Sequence, residues 1–150
     1  MGATTVLDTT NQLYVNVDQS KIFLGENEFI SGTISTAAMV DITVPAGTVL
    51  GRISTAGATF GQLKQLDKDA TDGSQFPVGI LTEDLVIPAE GSINCTACVA
   101  GYVAEDKLVF ASGESLDSVV SGRTLKDRIA GDTLGVRLLS GTNLTKADNF

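Results

Sequence analysis

Three acidic residues, Glu83, Asp84 and Glu90, flank two short apolar runs and are the side chains best suited to catalysis in this sequence. Carboxylates in pairs can act as general acid and base or hydrolyse glycosidic bonds. Enzymes that cleave such bonds usually carry aromatic platforms for the sugar, and this chain has no Trp. We therefore interpret the three as charged turn residues. A small carboxylate enzyme, with Glu83 or Asp84 as its catalytic residue, remains a third hypothesis.

The segment Cys95-Thr96-Ala97-Cys98 has the spacing of a metal-binding or redox pair. The chain contains no histidine and no other cysteine, so a zinc ion would lack its other two ligands. The same absence of histidine excludes Ser-His-Asp and Cys-His nucleophiles. A redox pair usually lies at a helix N-terminus, whereas strand spacing turns Cys95 and Cys98 to opposite faces. We predict that both are small buried core residues.

Asp67, Asp69 and Asp72 precede Gly73 and resemble part of a calcium-binding loop. The glycine stands one position late, and Val78 occupies the place of the bidentate glutamate. We interpret the segment as a solvated acidic loop, with weak cation binding as the alternative. The sequence therefore predicts no catalytic residue, no cofactor and no metal.

The composition of the chain limits the class of protein to which it can belong. The chain has 150 residues, a length that suits one domain with or without an arm. Hydrophobic residues make up 43% of the chain and aromatic residues only 5%, which predicts an aliphatic core. The net charge is −8 and the 10 Lys and Arg are scattered, so we expect no nucleic-acid partner. We find neither a signal peptide nor an apolar run of the roughly 20 residues that span a membrane, which predicts a soluble protein made in a cytosol.

Short strands joined by tight turns dominate the pattern along the chain. Apolar residues alternate or pair between glycine, proline and carboxylate positions in eight segments: residues 38–44, 48–53, 63–66, 76–81, 85–87, 93–99, 108–110 and 134–139. Helical spacing occurs only over residues 116–130, with Ser115 or Ser118 as a cap, and Gly122 weakens it. The sequence predicts a mainly β, barrel-like small domain with one short C-terminal helix.

The first 28 residues form a polar lead-in with a short strand signal at residues 13–17. The segment 25–28 is rich in glycine and acidic residues and is predicted to break the chain. The lead-in is then either a pair of strands of the main fold or an extended arm that orders against a partner. We place the boundary after residue 28, with an N-terminal arm over residues 1–28 and a β-rich domain over residues 29–150.

From about residue 29 to residue 139 the chain resembles the head decoration proteins of tailed phages, the lambda D-protein type. The residues that carry this resemblance are 46–53 (AGTVLGRI), 72–74 (DGS), 78–81 (VGIL) with Asp84, 101–103 (GYV) before Leu108, and the final helix followed by a strand. The order and spacing of these segments carry the resemblance, since none is diagnostic alone.

The resemblance implies a compact β-clip fold without enzymatic activity. It implies homotrimers on the outer surface of the expanded virion capsid, with the major capsid protein as partner, and synthesis in the host cytoplasm. The arm would pair with capsid strands. We assign the following residues to the arm contact: Thr4, Thr5, Val6, Leu7, Leu13, Tyr14 and Val15. The residues assigned to trimer or shell contacts are Phe60, Phe76 and Tyr102.

A binding module for a host glycan or receptor on the virion surface is the alternative function. The same β scaffold could present aromatic side chains to a sugar. This hypothesis requires four exposed aromatic residues to cluster on one face, namely Tyr14, Phe60, Tyr102 and Phe150.

Overall fold

The structure is a computed structural model that describes residues 22–132 and 134–140, together with the backbone of two short strands near the N-terminus. It is mainly β, with 47% strand and 9% helical residues. In chain order the strands are β1 (Thr5–Leu7), β2 (Leu13–Val15), β3 (Phe23–Ser35), β4 (Ile42–Val44), β5 (Val49–Arg52), β6 (Leu63–Gln65), β7 (Pro77–Leu81), β8 (Leu85–Ile87), β9 (Ser92–Ala104), β10 (Val119–Val120), β11 (Arg123–Thr124) and β12 (Gly135–Leu139).

Five of these strands form a closed barrel in the order β9-β3-β6-β5-β7, which is completed when β7 pairs with β9. The predicted mainly β, barrel-like domain with a short helix near the C-terminus is confirmed. The strand β12 lies outside the closure and pairs in parallel with the second half of β9, from Gly135 opposite Ala100 to Leu139 opposite Ala104. The strands β4 and β8 form a separate two-stranded ribbon.

The predicted chain break at residues 25–28 is wrong, because these residues lie inside the 13-residue strand β3. They form irregularities in its pairing with β9. The Asn27 side chain holds the distorted backbone, since its Nδ2 donates to the carbonyl oxygens of Ala100 and Tyr102 at 3.3 and 3.1 Å. The barrel therefore starts at Phe23, and β3 crosses the boundary that we placed after residue 28. How residues 1–21 divide between arm and body stays a prediction.

The core consists of two aliphatic clusters, as the composition predicts. No Phe or Tyr is among the buried residues of the part that the structure describes. The first cluster contains Val49, Leu66, Ile80, Cys98, Val103, Val120, Leu125, Ile129 and Val136. The second contains Ile34, Val44, Leu50, Leu63, Leu81, Ile87, Cys95 and Ala97. The prediction for the two cysteines holds, because both are buried in β9 and each belongs to a different cluster.

The predicted helix over residues 116–130 is much shorter than expected. The helix α1 covers only Leu125–Asp127 and continues as a π-helical turn, Arg128–Asp132. Residues 119–124 instead form the β10–β11 hairpin, whose turn residues Ser121 and Gly122 both have positive φ, at 49° and 80°. Such a pair of φ values is typical of a two-residue hairpin turn and is incompatible with a helix. Thr124, rather than Ser115 or Ser118, caps α1 by accepting from the Asp127 N–H.

Two predicted strands are also reduced. Of residues 38–44 only β4 is a strand, because Ala38 turns aside to accept a hydrogen bond from the Glu90 N–H at 2.8 Å. Residues 108–110 contribute a single bridge between Val109 and Thr48. A further short turn, Glu105–Lys107, is a 3₁₀ helix. In the described portion of the chain, no helix is long and apolar enough to cross a membrane.

Candidate functional site

Three of the segments that carry the family resemblance meet in one part of the barrel: residues 46–53, 72–74, and 78–81 with Asp84. We call this part the barrel hub (residues 45–53, 72–74 and 79–84). Thr48 is fully buried there, and its hydroxyl donates to the Pro45 carbonyl oxygen at 2.7 Å. Asp84 accepts from the Ala46 N–H, also at 2.7 Å, and so fixes the turn before β5. This catalytic candidate therefore has a structural role.

The Asp72-Gly73-Ser74 turn closes the other side of the hub. The Asp72 carboxylate accepts from the N–H and the hydroxyl of the fully buried Ser74, and Lys64 Nζ lies 3.1 Å from its second oxygen. The Ser74 hydroxyl, the Ser74 N–H and Lys64 together lower the pKa of Asp72 from 3.8 to about 2. The charge of Asp72 thus serves to hold the turn.

The other acidic loop residues are also engaged locally. Asp67 accepts from the Asp69 N–H at 3.0 Å, and Asp69 pairs with Lys68 at 2.9 Å. Within the described ranges, no group of three or more Cys, Asp or Glu residues is arranged to hold a metal ion. The alternative of weak cation binding at residues 67–72 gains no support from this geometry.

Burial sets the chemistry of the two cysteines. It raises the pKa of both thiols, and the Cys98 thiol donates to the Ala100 carbonyl oxygen at 3.2 Å. A buried thiol with a raised pKa is a poor nucleophile and a poor metal ligand. Cys95 and Cys98 are therefore packing residues.

The other two carboxylates considered for catalysis lie in separate, exposed settings. Glu83 borders a shallow polar depression on the outer face of β3 and β9, together with Ser31 and Asn94. Glu90 stands in the turn between β8 and β9, beside a different concavity. Glu83 and Glu90 therefore line different depressions and do not form a carboxylate pair.

A groove of about 750 Å³ lies between the β4–β8 ribbon and the barrel. Its apolar wall consists of Ile34, Ile42, Val44, Ile53, Leu66 and Ile87. Nothing in the sequence marks this groove, because its wall residues come from five separate segments that only the folded barrel brings together. Polar residues, among them Gln62, Lys64 and Asp67, line the rest of the groove. A concavity that combines an apolar wall with polar groups is typical of a binding surface.

Two loops border this groove and form what we call the groove rim (residues 36–41 and 54–61). The first carries Met39 and Val40, which are 84% and 64% exposed. The second carries Phe60, which is 64% exposed, and the neighbouring Thr59 faces the groove. Large apolar side chains held in solvent beside an apolar groove indicate a surface that meets another protein.

The structure places the three aromatic residues assigned to trimer or shell contacts in different settings. Phe60 is exposed on the groove rim. Phe76 packs against the first core cluster, and the Arg128 guanidinium lies 4.9 Å from its ring centroid. Tyr102 is half-buried on β9 beside Arg137, which donates to its hydroxyl at 3.3 Å. Phe60 is therefore the residue of the three with the most surface left for a partner, and all three assignments stay predictions.

Most residues assigned to the arm contact lie on the paired strands β1 and β2, with Thr5 opposite Val15, Val6 opposite Tyr14, and Leu7 opposite Leu13. Thr4 and Phe150 fall outside the described residues, as does the side chain of Tyr14. The requirement that four aromatic side chains share one face for glycan binding is therefore untested.

Comparison with known proteins identifies the family. The family model of the bacteriophage lambda head decoration protein D matches residues 20–118, which include the barrel hub and the groove rim. No curated protein matches the chain. The family is structural rather than catalytic and associates with the phage capsid. The resemblance seen in the sequence is thus confirmed: this chain belongs to the head decoration protein family, and its role is phage capsid decoration.

Proposed function

We propose that this protein binds the outside of the expanded phage head as homotrimers and stabilises the shell against the pressure of the packaged DNA. The observation that carries the proposal is the family match over residues 20–118. The net charge of −8 supports it, since an acidic protein made in many copies stays soluble and does not bind DNA.

Selective binding explains how such a protein strengthens a shell. A ligand that binds the expanded shell and not the compact one shifts the equilibrium toward the expanded state by mass action. A trimer attaches at three points, so a modest affinity for each point becomes a strong overall attachment. No chemistry is required of the protein, which agrees with the structural roles of Asp72 and Asp84 and with the buried thiols of Cys95 and Cys98.

The arm is the segment that we propose to contact the major capsid protein. The strands β1 and β2 present extended backbone that can add to a capsid strand. Residues 1–19 precede the family match, so most of the arm lies outside the matched residues, as do residues 119–150. Thr5, Val6 and Leu7 on β1 and Leu13, Tyr14 and Val15 on β2 remain the proposed contact residues, with Thr4 beside them.

Co-sedimentation with heads tests the proposal. Purified protein is mixed with expanded, undecorated heads of its own phage and, as a control, with unexpanded proheads. We expect saturable binding to expanded heads alone, at a whole number of trimers per shell, and greater retention of DNA when these heads are heated. Absence of binding to both kinds of head would reject the proposal and favour a module that binds host glycans.

Deletion of residues 1–13 tests the arm. Because the barrel begins at Phe23, the truncated protein should keep its circular dichroism spectrum and its melting temperature. It should no longer bind expanded heads. Normal occupancy by the truncated protein would remove the arm from the mechanism and leave the rest of the proposal standing.

A further inference from the structure

The first part of β3 is distorted where the barrel meets the N-terminal lead-in. Between Phe23 and Phe29 its pairing with β9 shifts register three times, so that the seven residues 23–29 face only the six residues 98–103. An extra residue of this kind is a β-bulge, which bends its strand and increases the local twist. The chain therefore changes direction here before it enters the regular part of the barrel. We call residues 23–29 the elbow.

Two phenylalanine rings show how sharply the elbow bends. In a regular strand, the Cα atoms of Phe23 and Phe29 would be about 20 Å apart. The two ring centroids lie only 6.1 Å apart, and the rings meet edge to face at an interplanar angle of 76°. Phe23 also packs against the first core cluster, whereas Phe29 is 50% exposed. The aromatic contact therefore joins the two ends of the elbow and ties them to the core.

A single side chain bridges the irregular pairing within the elbow. The Asn27 Oδ1 atom accepts a hydrogen bond from the Gly25 N–H at 3.0 Å. The Asn27 Nδ2 atom donates to the carbonyl oxygens of Ala100 and Tyr102 on β9. Glu26 has a φ of 53°, which residues other than glycine rarely adopt and which persists only where surrounding contacts hold it. The hydrogen bonds of Asn27, the next residue, are the contacts that hold it here.

Gly101 supplies the space that the elbow needs. Its φ is 101°, and a Cβ atom added there would lie 2.5 Å from the Glu26 carbonyl oxygen and 2.7 Å from the Asn27 Cα atom. Gly101 begins the segment 101–103, which carries part of the family resemblance but lies outside the barrel hub. The close approach of the elbow explains why a glycine stands at the start of this segment.

We propose that the elbow sets the direction in which the arm leaves the barrel, and that this direction determines how tightly the arm binds the shell. The Ala104 N–H donates to the Ile22 carbonyl oxygen at 2.8 Å, so the chain is also fastened to the barrel just before the elbow. A fixed direction lowers the entropic cost of binding an arm, and three arms must engage together in a trimer. The inference rests on the arm and the trimer of the proposed function, and it names Asn27 and Gly101 as positioning residues.

Asn27→Ala tests the elbow, with Asn94→Ala as the matched control because Asn94 is exposed on β9. In hydrogen exchange, Asn27→Ala should accelerate the amides of residues 25–28 at least about tenfold, and by a larger factor than those of residues 93–98. Its affinity for expanded heads should fall at least about tenfold. The control should change neither quantity. An equal or smaller effect at residues 25–28, or a wild-type affinity for heads despite faster exchange there, would overturn the inference.

A flexible insertion separates the direction of the arm from the stability of the barrel. The insertion Gly-Ser-Gly-Ser between residues 21 and 22 keeps the sequence of the elbow and lets the arm turn freely. It should lower the affinity for expanded heads about as much as Asn27→Ala does, at a wild-type melting temperature. The two changes combined should lower the affinity no further than one alone, because each removes the same constraint. Additive losses, or wild-type binding by the insertion variant, would overturn the inference.

Binding of the wild-type protein separates this inference from the proposed function. If the wild type does not bind expanded heads, decoration is rejected together with any role of the elbow in attachment. If the wild type, Asn27→Ala and the insertion variant all bind equally well, the inference about the elbow is overturned while decoration stands.

Discussion

The barrel hub and the groove rim lie next to each other and differ in how well they can accommodate an added side-chain atom. In the hub, a Cβ atom added to Gly51 would lie 2.2 Å from the Ser74 carbonyl oxygen. In the rim, a Cβ atom at Gly61 would meet nothing within 4 Å. The hub is closely packed and internally bonded, whereas the rim holds Met39, Val40 and Phe60 in solvent. The segments that identify the family therefore build the barrel, and the adjacent loops are available for contacts.

The strand β5 shows why the hub is so constrained. Val49 packs in the first core cluster and Leu50 in the second, because successive side chains of a strand point to opposite faces. Both are at most 1% exposed. A change in β5 therefore affects the packing of both clusters. The rim residues belong to neither cluster.

Removal of a core side chain should give the largest effect. We expect Leu50→Ala to lower the free energy of unfolding by about 3–5 kcal/mol, because it deletes fully buried methyl groups and leaves a cavity. The control Val86→Ala, at a site 52% exposed on β8, should lower it by less than about 1 kcal/mol. Urea denaturation measures both. Equal losses would contradict the contrast between the hub and its surroundings.

A methyl group added in the hub should give the next largest effect. We expect Gly51→Ala to destabilise the protein by about 2–3 kcal/mol, because the Ser74 backbone cannot move without opening the Asp72-Ser74 turn. Gly131→Ala is the matched control, since Gly131 is exposed in a helical turn with open space around it. Thermal melts of the two variants should differ by several degrees. A stable Gly51→Ala variant would show that the hub is less tightly packed than this geometry implies.

Loss of the Asp72 charge should have a smaller effect that depends on pH. Because the pKa of Asp72 is lowered from 3.8 to about 2, its contribution to stability is present above pH 3.8 and is lost as the pH falls through about 2. We expect Asp72→Asn to cost about 1 kcal/mol at pH 7. The difference in melting temperature between wild type and variant should shrink from pH 5 toward pH 2. A constant difference would mean that the Asp72 charge is not what holds the turn.

Substitution on the rim should have the smallest effect on stability. We expect Val40→Asp to change the free energy of unfolding by less than about 0.5 kcal/mol, because the side chain is 64% exposed. The same variant should assemble less well if the rim contacts a second copy. Unfolding measured at a concentration where the protein is monomeric separates the two effects. A large loss of stability in the monomer would contradict the description of the rim as a free surface.

Much of the fold could be predicted from local patterns. Alternation over residues 93–99 and the apolar pairs at residues 48–53, 76–81 and 85–87 correspond to β9, β5, β7 and β8. The helix was predicted too long because apolar residues near 116–120 have helical spacing, and the positive φ at Ser121 and Gly122 overrides that spacing. The 25–28 segment has the composition of a turn, which predicts a break in the chain, although the Asn27 side chain hydrogen-bonds this segment to β9.

The functional surface was less predictable than the fold. Phe60 is one of the three residues that the sequence analysis assigns to trimer or shell contacts, and its side chain is 64% exposed. Met39 was placed in a strand, whereas it lies in a loop and is 84% exposed. The sequence carries no signal for the groove, since exposure and concavity depend on where distant segments meet.

By itself, the sequence determined the class of protein: mainly β, with an aliphatic core, no histidine chemistry, an acidic charge, and the ordered segments of the head decoration family. These properties follow from residue types and from spacings within single segments, so they need no folded structure. Only the tertiary structure decided that Asp72 and Asp84 hold turns, that Cys95 and Cys98 lie in separate clusters, and that a groove stands beside Met39 and Val40. Apart from the local bonds between Asp72 and Ser74, these features depend on contacts between residues far apart in the chain, which the folded barrel brings together.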